Sequence, residues 1–219
     1  MSYCAVIVEP RKHKALEFVL KNIQSHLPGW PIILFHGSIN EEYVKKCTEK
    51  LSNIMLRNLG IPNLSPTEYS YLLTTVNFWQ QMPTEKVLIF QTDTMLLHSR
   101  IEFFMMYDYV GAPWRWNLKV GNGGLSIRNR NAMIDAIRDS RDRRHPEDVF
   151  FSNYLYQNRD KYKLPSFRMA KSFASETTFH PCPLGVHKPW KHLRKHPQWK
   201  MFVKRYPEIL QLMRLNNKM

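Results

Sequence analysis

The opening 37 residues of this 219-residue chain constrain its fold more than any other feature, because they spell strand, helix, strand. Residues 3–8, YCAVIV, form a short apolar run rich in β-branched side chains and stopped by Glu9-Pro10, the signature of a buried strand. Residues 13–27 put Leu16, Val19, Leu20, Ile23 and Leu27 at helical spacing, and Pro28-Gly29 ends the pattern. WPIILFHG (30–37) then repeats the strand signature. Two buried strands joined through a helix must run parallel with a right-handed crossover, so the expected class is α/β with a mixed, mostly parallel central sheet flanked by helices.

The rest of the chain extends this pattern. Residues 41–59 have helical spacing, and a loop follows around Gly60 and Pro62. A helix is expected over 66–81, with Pro66 in its first turn and Ser65 and Glu68 forming a capping box. EKVLIFQTDT (85–94) is the clearest strand and ends abruptly at Gln91-Thr92-Asp93. Further on, 107–114 reads as strand then turn, 121–130 as a glycine turn into a strand, 131–144 and 145–158 as helices, and 173–190 as a final strand and loop. No repeat or Gly/Ser linker divides the chain. We expect one domain over 1–190, with a basic helical tail at 191–219 packing on it.

The net charge of +14 tests whether the chain binds a polyanion. Residues 1–93 carry +1, residues 94–186 carry +5 and residues 187–219 carry +8. A nucleic-acid binder spreads basic residues over a whole face, whereas this chain concentrates them late and mixes them with Trp190, Trp199, Phe202, Tyr206 and Leu210 at packing intervals. Nucleic acid is therefore not the expected partner. Phosphate ligands of limited size, or peripheral contact with a membrane surface, fit better. Cys4, Cys47 and Cys182 are odd in number and widely spaced, which indicates neither a disulfide framework nor a structural zinc site. No stretch reaches the roughly 18 apolar residues of a spanning helix. These features give an expected cytoplasmic protein.

Four segments carry residues suited to chemistry. Asp93 ends a buried strand, where open α/β sheets bind their ligands, although an Asp capping the next turn gives the same letters. Asn122-Gly123-Gly124 lets backbone approach a ligand, or is simply a turn. Glu147 and Asp148 follow Pro146 at a helix start, where the dipole favours acids and where a general base could also stand. LGVHKPW (184–190) offers Gly185 to a phosphate, His187 to a metal and Lys188 to a leaving diphosphate, with His180 a competing ligand. Neither GxGxxG nor GxxxxGK[ST] occurs.

Taken in order, FQTD, YDYVGAPW, GNGGLSIRN, PEDVFF and GxHKPW resemble the marks of a family of uncharacterised glycosyltransferase-like domains, from Val6 to Trp190. More broadly the chain resembles GT-A (nucleotide-diphospho-sugar transferase) glycosyltransferases, and it is similar to algal-virus enzymes that glycosylate capsid protein. That resemblance implies a single GT-A domain and transfer of a hexosyl or deoxyhexosyl group from a UDP-sugar to a glycan or glycoprotein, with Mn²⁺ or Mg²⁺. A viral origin would put it in the host-cell cytoplasm, as a monomer or a piece of a longer polypeptide. GT-A enzymes use Asp-x-Asp; here Gln91 replaces the first carboxylate and Asp93 matches the metal ligand. The glycogenin-like motif HxxGxxKPW is met by Gly185, Lys188, Pro189 and Trp190, but Cys182 stands at the His position, so His187 is the first choice for the missing ligand and His180 the second. The same resemblance gives the nucleotide to Val8, Glu9, Pro10 and Arg11 together with Gln91 and Thr92, the sugar to Asn122, Gly123 and Gly124, and the acceptor's proton to Asp148 or Glu147 if the enzyme inverts. The alternative is a non-catalytic sugar-nucleotide or glycan-binding module that keeps the fold, which the departures at Gln91 and Cys182 support.

Overall fold

The computed structural model describes residues 3–116, 119, 121–140 and 145–218. Its strands are β1 (Tyr3–Val8), β2 (Ile32–His36), β3 (Ile54–Asn58), β4 (Lys86–Phe90), β5 (Thr94–Leu96), β6 (Tyr109–Gly111), β7 (Leu125–Asn129), β8 (Ala174–Ser175) and β9 (Gly185–His187). Its helices are α1 (Leu16–His26), α2 (Glu41–Thr48), α3 (Pro66–Leu73), α4 (Val76–Gln80), α5 (Arg130–Asp139), α6 (Glu147–Gln157), α7 (Phe167–Phe173), α8 (Pro189–His192), α9 (Trp199–Arg205) and α10 (Glu208–Leu215). Six strands form one sheet in the order β3-β2-β1-β4-β7-β6, parallel up to β4 and antiparallel beyond it. A small second sheet, β5-β9-β8, stands beside it.

The apolar run of β1 follows from burial on both faces. Cys4, Val6 and Val8 pack with Phe35, Phe78, Trp79 and Phe151, while Ala5 and Ile7 face Leu16, Leu20 and Leu34. A strand covered on both sides loses the alternation of a half-solvated one and reads as continuous hydrophobicity. The basic tail joins the second of these cores through Phe202, Tyr206, Ile209, Leu212 and Met213, all buried. Each fully buried large apolar side chain contributes about 1.5–3 kcal/mol, so these five side chains stabilise the tail against that core. Among the described residues no helix is long and apolar enough to cross a membrane.

Several elements differ from the sequence expectation. The helix expected over 41–59 stops at Thr48; Asn53 turns the chain with a positive φ of 55°, and Ile54–Asn58 becomes edge strand β3, paired among the described residues only with β2. Its side chains are half-buried or exposed, so no buried run marked it. The helix expected over 66–81 begins with the capping box at Ser65 and Glu68 but breaks between α3 and α4. There the Thr74 and Thr75 hydroxyls donate back to the carbonyls of Ser70, Tyr71 and Leu72, competing with the helical ladder. The helix expected over 131–144 runs from Arg130 to Asp139, and residues 141–144 lie outside the described set. Helix α7 had no counterpart in the sequence reading. The segment 173–190 supplies two strands, β8 and β9.

Candidate functional site

The site grows from the point where the chain leaves the large sheet. Strand β4 ends at Phe90, and the next residues make a tight turn: the Thr94 amide and hydroxyl both donate to the Gln91 carbonyl, at 3.1 and 2.8 Å. Strand β5 then enters the small sheet, with Thr94 opposite His187 in the antiparallel β5–β9 ladder. That register brings residues 93 and 187 together. The Lys188 amide donates to the Asp93 carbonyl at 3.0 Å, and Lys188 itself takes a left-handed backbone (φ 43°) that turns the chain from β9 into α8. Such a conformation in a residue other than glycine, held by its surroundings, is common at functional sites. From the tail, the Asn216 side chain donates to the Thr92 carbonyl at 3.0 Å, bracing the turn from below.

Asp93 Oδ1 lies 3.3 Å from His187 Nε2, and Oδ2 lies 3.4 Å from Lys188 Nζ. Burial by itself would raise the Asp93 carboxyl, but His187 and Lys188 outweigh it and hold the group well below the usual carboxylate range. His187 is 4% exposed, and among the described residues its ring nitrogens and Asp93 Oδ1 have no hydrogen-bond partner beyond the ion-pair contacts of Nε2 with Asp93 at 3.3 Å and of Nδ1 with Glu176 at 3.4 Å. Buried polar atoms are nearly always well hydrogen-bonded, so a set held only by such long ion-pair contacts marks a place with room for a further ligand.

These groups floor a cleft of about 450 Å³. Val8, Glu9, Pro10 and Arg11 line one wall, where Arg11 closes a two-pronged pair on buried Glu9 at 2.8 Å and the Thr92 hydroxyl donates to the same carboxylate. Buried Asn40 donates to the Glu9 and Arg11 carbonyls at 2.9 Å each, fixing this corner. Gln91 donates to the Tyr69 hydroxyl at 3.1 Å, which ties the QTD turn to α3.

Opposite stand Asn122, Gly123 and Gly124 with the start of α6. Asn122 folds its carboxamide oxygen onto the Gly124 amide at 3.0 Å. Glycine is required at both following positions by close approach: a Cβ on Gly123 would meet Arg128, Glu147 and Asp148, and one on Gly124 would strike the His187 ring. Gly124→Ala is accordingly expected to cost about 1–3 kcal/mol of stability by overpacking, and to displace His187. Thermal unfolding and nucleotide-dependent stabilisation, measured together, check both effects.

Behind the turn, Arg128 is fully buried and bonded to Glu147 through Nη1 and Nη2 at 2.5 and 3.1 Å, to the Ser126 hydroxyl and to the Gly123 carbonyl. The rings of Trp79, Tyr109 and Phe151 surround its guanidinium. Glu147 thus holds Arg128 and stabilises the turn. Asp148 accepts from the Gly123 and Val149 amides and is pushed up to about 6, first by burial and then by the neighbouring Glu147 charge.

The cleft gathers every residue given a catalytic, donor-binding or metal role from the sequence except Gly185 and the second-choice ligand His180, and Cys182 at the missing His position also lies outside it. Gly185 lies in β9, where a Cβ would meet Leu125 and the Met95 carbonyl, so its smallness serves packing. The His180 ring accepts from the Cys182 amide, away from Asp93. Cys182 is at the surface beside His98 and Tyr206. Sequence reasoning missed Tyr69, Glu176 and Lys191, which line the cleft, and Arg128 behind it. Glu176 sits in an irregular loop with no pattern to mark it, and Arg128 was hidden inside an otherwise ordinary strand.

Residues 56–187, more than half of the chain, match the family described as "Protein of unknown function (DUF5672)". The chain belongs to that family. The DUF5672 match contains Asp93, the glycine turn, the α6 carboxylates and His187, and leaves β1 and the tail outside. No curated protein matches the chain. Among solved structures, the apo-form glycosyltransferase GlyE of Streptococcus pneumoniae TIGR4 aligns over 100% of this DUF5672 chain and 64% of its own length, with 14% identity and a TM-score of 0.59. The galactosyltransferase LgtC, in complex with donor and acceptor sugar analogues, aligns over 93% and 95% of the two chains (13% identity, TM-score 0.52). The 4-diphosphocytidyl-2C-methyl-D-erythritol synthase of Anaerococcus prevotii DSM 20548 aligns over 74% and 86% (12% identity, TM-score 0.53). The fold is therefore of the GT-A type, and this chain spans less than two thirds of GlyE.

Proposed function

We propose that this DUF5672 chain is a metal-dependent glycosyltransferase that moves a sugar from a nucleoside-diphosphate sugar, most simply a UDP-sugar, to a glycan or glycoprotein acceptor. One observation carries the reading: Asp93 Oδ1 and His187 Nε2 are buried, face each other at 3.3 Å and, among the described residues, have no other hydrogen-bond partner, at the floor of a cleft that also holds Lys188 and Lys191. Among the described residues no three His, Cys, Asp or Glu side chains form a complete metal cage. Two protein ligands with the remaining positions left to diphosphate oxygens and water is how Mg²⁺-type ions are ordinarily held beside a nucleotide, so this pair fits. A cation held there supplies charge neutralisation to the departing diphosphate.

The chain's own residues do the rest. Breaking the bond between sugar and diphosphate leaves negative charge on the leaving group, which Lys188 and Lys191 are positioned to offset. Glu9 and Arg11, locked by Asn40, present a rigid corner to the nucleoside, with Tyr69 as an aromatic face nearby. Asn122 and the glycine turn offer polar backbone to the sugar. Asp148 is the candidate general base for an inverting reaction; with its proton affinity near pH 6 it is mostly ionised at neutrality and can still accept a proton.

The first test is thermal unfolding with UDP, GDP or CMP, with and without Mn²⁺. A nucleotide-dependent gain that requires Mn²⁺ is expected, and no such gain with any nucleotide would count against the proposal. Binding without transfer or donor hydrolysis would favour the non-catalytic module instead. Transfer is also expected to fall as pH drops through about 6, where Asp148 takes up its proton. Asp148→Asn should cost about 10²–10⁴-fold in kcat and abolish that acid limb. The raised value carries a stability sign as well: the folded state disfavours the charged form, so stability declines as pH rises from about 4 towards 6. Asp148→Asn is therefore expected to unfold no lower than the parent at pH 7.5.

A further inference from the structure

Glu176 lines the cleft, and the proposed function leaves it without a task. Its side chain is 8% exposed, its Oε2 has no hydrogen-bond partner among the described residues, and its Oε1 lies 3.4 Å from His187 Nδ1. The imidazole therefore stands between two buried carboxylates, Asp93 at Nε2 and Glu176 at Nδ1. The ring's place is set by the backbone: the β5–β9 register fixes residue 187 opposite Thr94, and the bare Cα of Gly124 admits the ring where a Cβ would not.

A neutral imidazole carries one N–H, and the group facing one nitrogen decides which of the two is left with a lone pair. A carboxylate can only accept, and Asp93 faces Nε2 as Glu176 faces Nδ1; once a cation takes the Nε2 lone pair, the ring's proton must sit on Nδ1, where Glu176 is placed to accept it. We infer that Glu176 is a positioning residue that presents His187 Nε2 as a ligand to the divalent cation. This rests on the metal-dependent reading of the same cleft. Ligating histidines generally donate their second N–H to such a partner, and loss of the partner typically lowers metal affinity about 10–100-fold.

The test is direct Mn²⁺ binding, read from the free-Mn²⁺ electron paramagnetic resonance signal in the presence of saturating UDP, for the parent chain, Glu176→Ala, Glu176→Gln and His187→Ala. Glu176→Ala is expected to bind Mn²⁺ about 10–100-fold more weakly. Glu176→Gln, whose carbonyl oxygen can still accept from Nδ1–H, should recover part of the loss. Long-range ¹H–¹⁵N correlation spectra recorded with UDP and diamagnetic Mg²⁺ should give His187 with its proton on Nδ1 in the parent and mixed tautomers in Glu176→Ala, a signature that a merely structural role would not move. If the parent binds Mn²⁺ and both Glu176 variants bind it equally well, the inference is overturned while the metal site stands. If the parent binds none, the metal site and the inference fall together. Should Glu176→Ala fail to fold, the nearly isosteric Glu176→Gln decides, since affinity equal to the parent's with unchanged tautomers would overturn the role.

Discussion

Asp93→Asn is expected to abolish the Mn²⁺-dependent stabilisation by nucleotide and to lower transfer by about 10³-fold or more, a loss of about 4 kcal/mol of transition-state stabilisation. The size follows from its position. Asp93 lies against both His187 and Lys188, and its low proton affinity keeps it charged at any working pH. The asparagine retains shape and one acceptor oxygen, so the fold should survive; what goes is the charge that, with His187, would hold a cation. Unfolding measured with UDP over a Mn²⁺ series separates the two effects: a lowered but still cooperative unfolding without ligand, from the lost pairing with His187 and Lys188, and a flat response to metal is the expected pair of results. A response matching the parent's would remove Asp93 from the site.

The second large effect concerns stability. Arg128 is completely enclosed, and its partner Glu147 is 6% exposed. Removing one member of such a pair leaves a buried charge uncompensated and costs about 3–5 kcal/mol, a large part of the stability of a domain. Glu147→Ala and Arg128→Ala should each lower the unfolding free energy, read from chemical denaturation, by that amount. The double substitution Arg128→Met with Glu147→Leu should cost less than the sum of the two single alanine variants, since no charge remains to be desolvated. The function should respond differently: because Arg128 also holds the Gly123 carbonyl, the double variant should fold yet bind nucleotide poorly, with the glycine turn unsupported. A sum that is simply additive would show that the pair is not coupled.

How much of this was legible beforehand depends on where each signal resides. Strands β1, β2 and β4 are buried on both faces, and burial writes itself into sequence as unbroken apolar runs. The capping box at Ser65 and Glu68 was readable because its chemistry spans only four residues. Edge strand β3 was not, because a half-exposed strand beside a polar helix leaves no period that differs from the helix's own. Within the cleft, Asp93, the Asn122–Gly124 turn, Asp148 and His187 were each visible as residue types in suggestive places, but Gly185 was given to phosphate on the strength of its neighbours and lies in packed β9 instead.

Local chemistry along the chain determined the α/β class, the parallel opening and the segments able to carry reactive groups, because strand burial, helix period and capping act over a few residues. Only the tertiary structure decided which of those groups meet. The β5–β9 ladder sets His187, and not His180, against Asp93; the bend at Gly124 leaves room for the ring; and Glu176 reaches its far side from a loop without sequence pattern. Residues 93 and 187 share no periodicity or local turn, so their pairing is fixed by strand register between distant segments, a quantity that residue spacing does not encode.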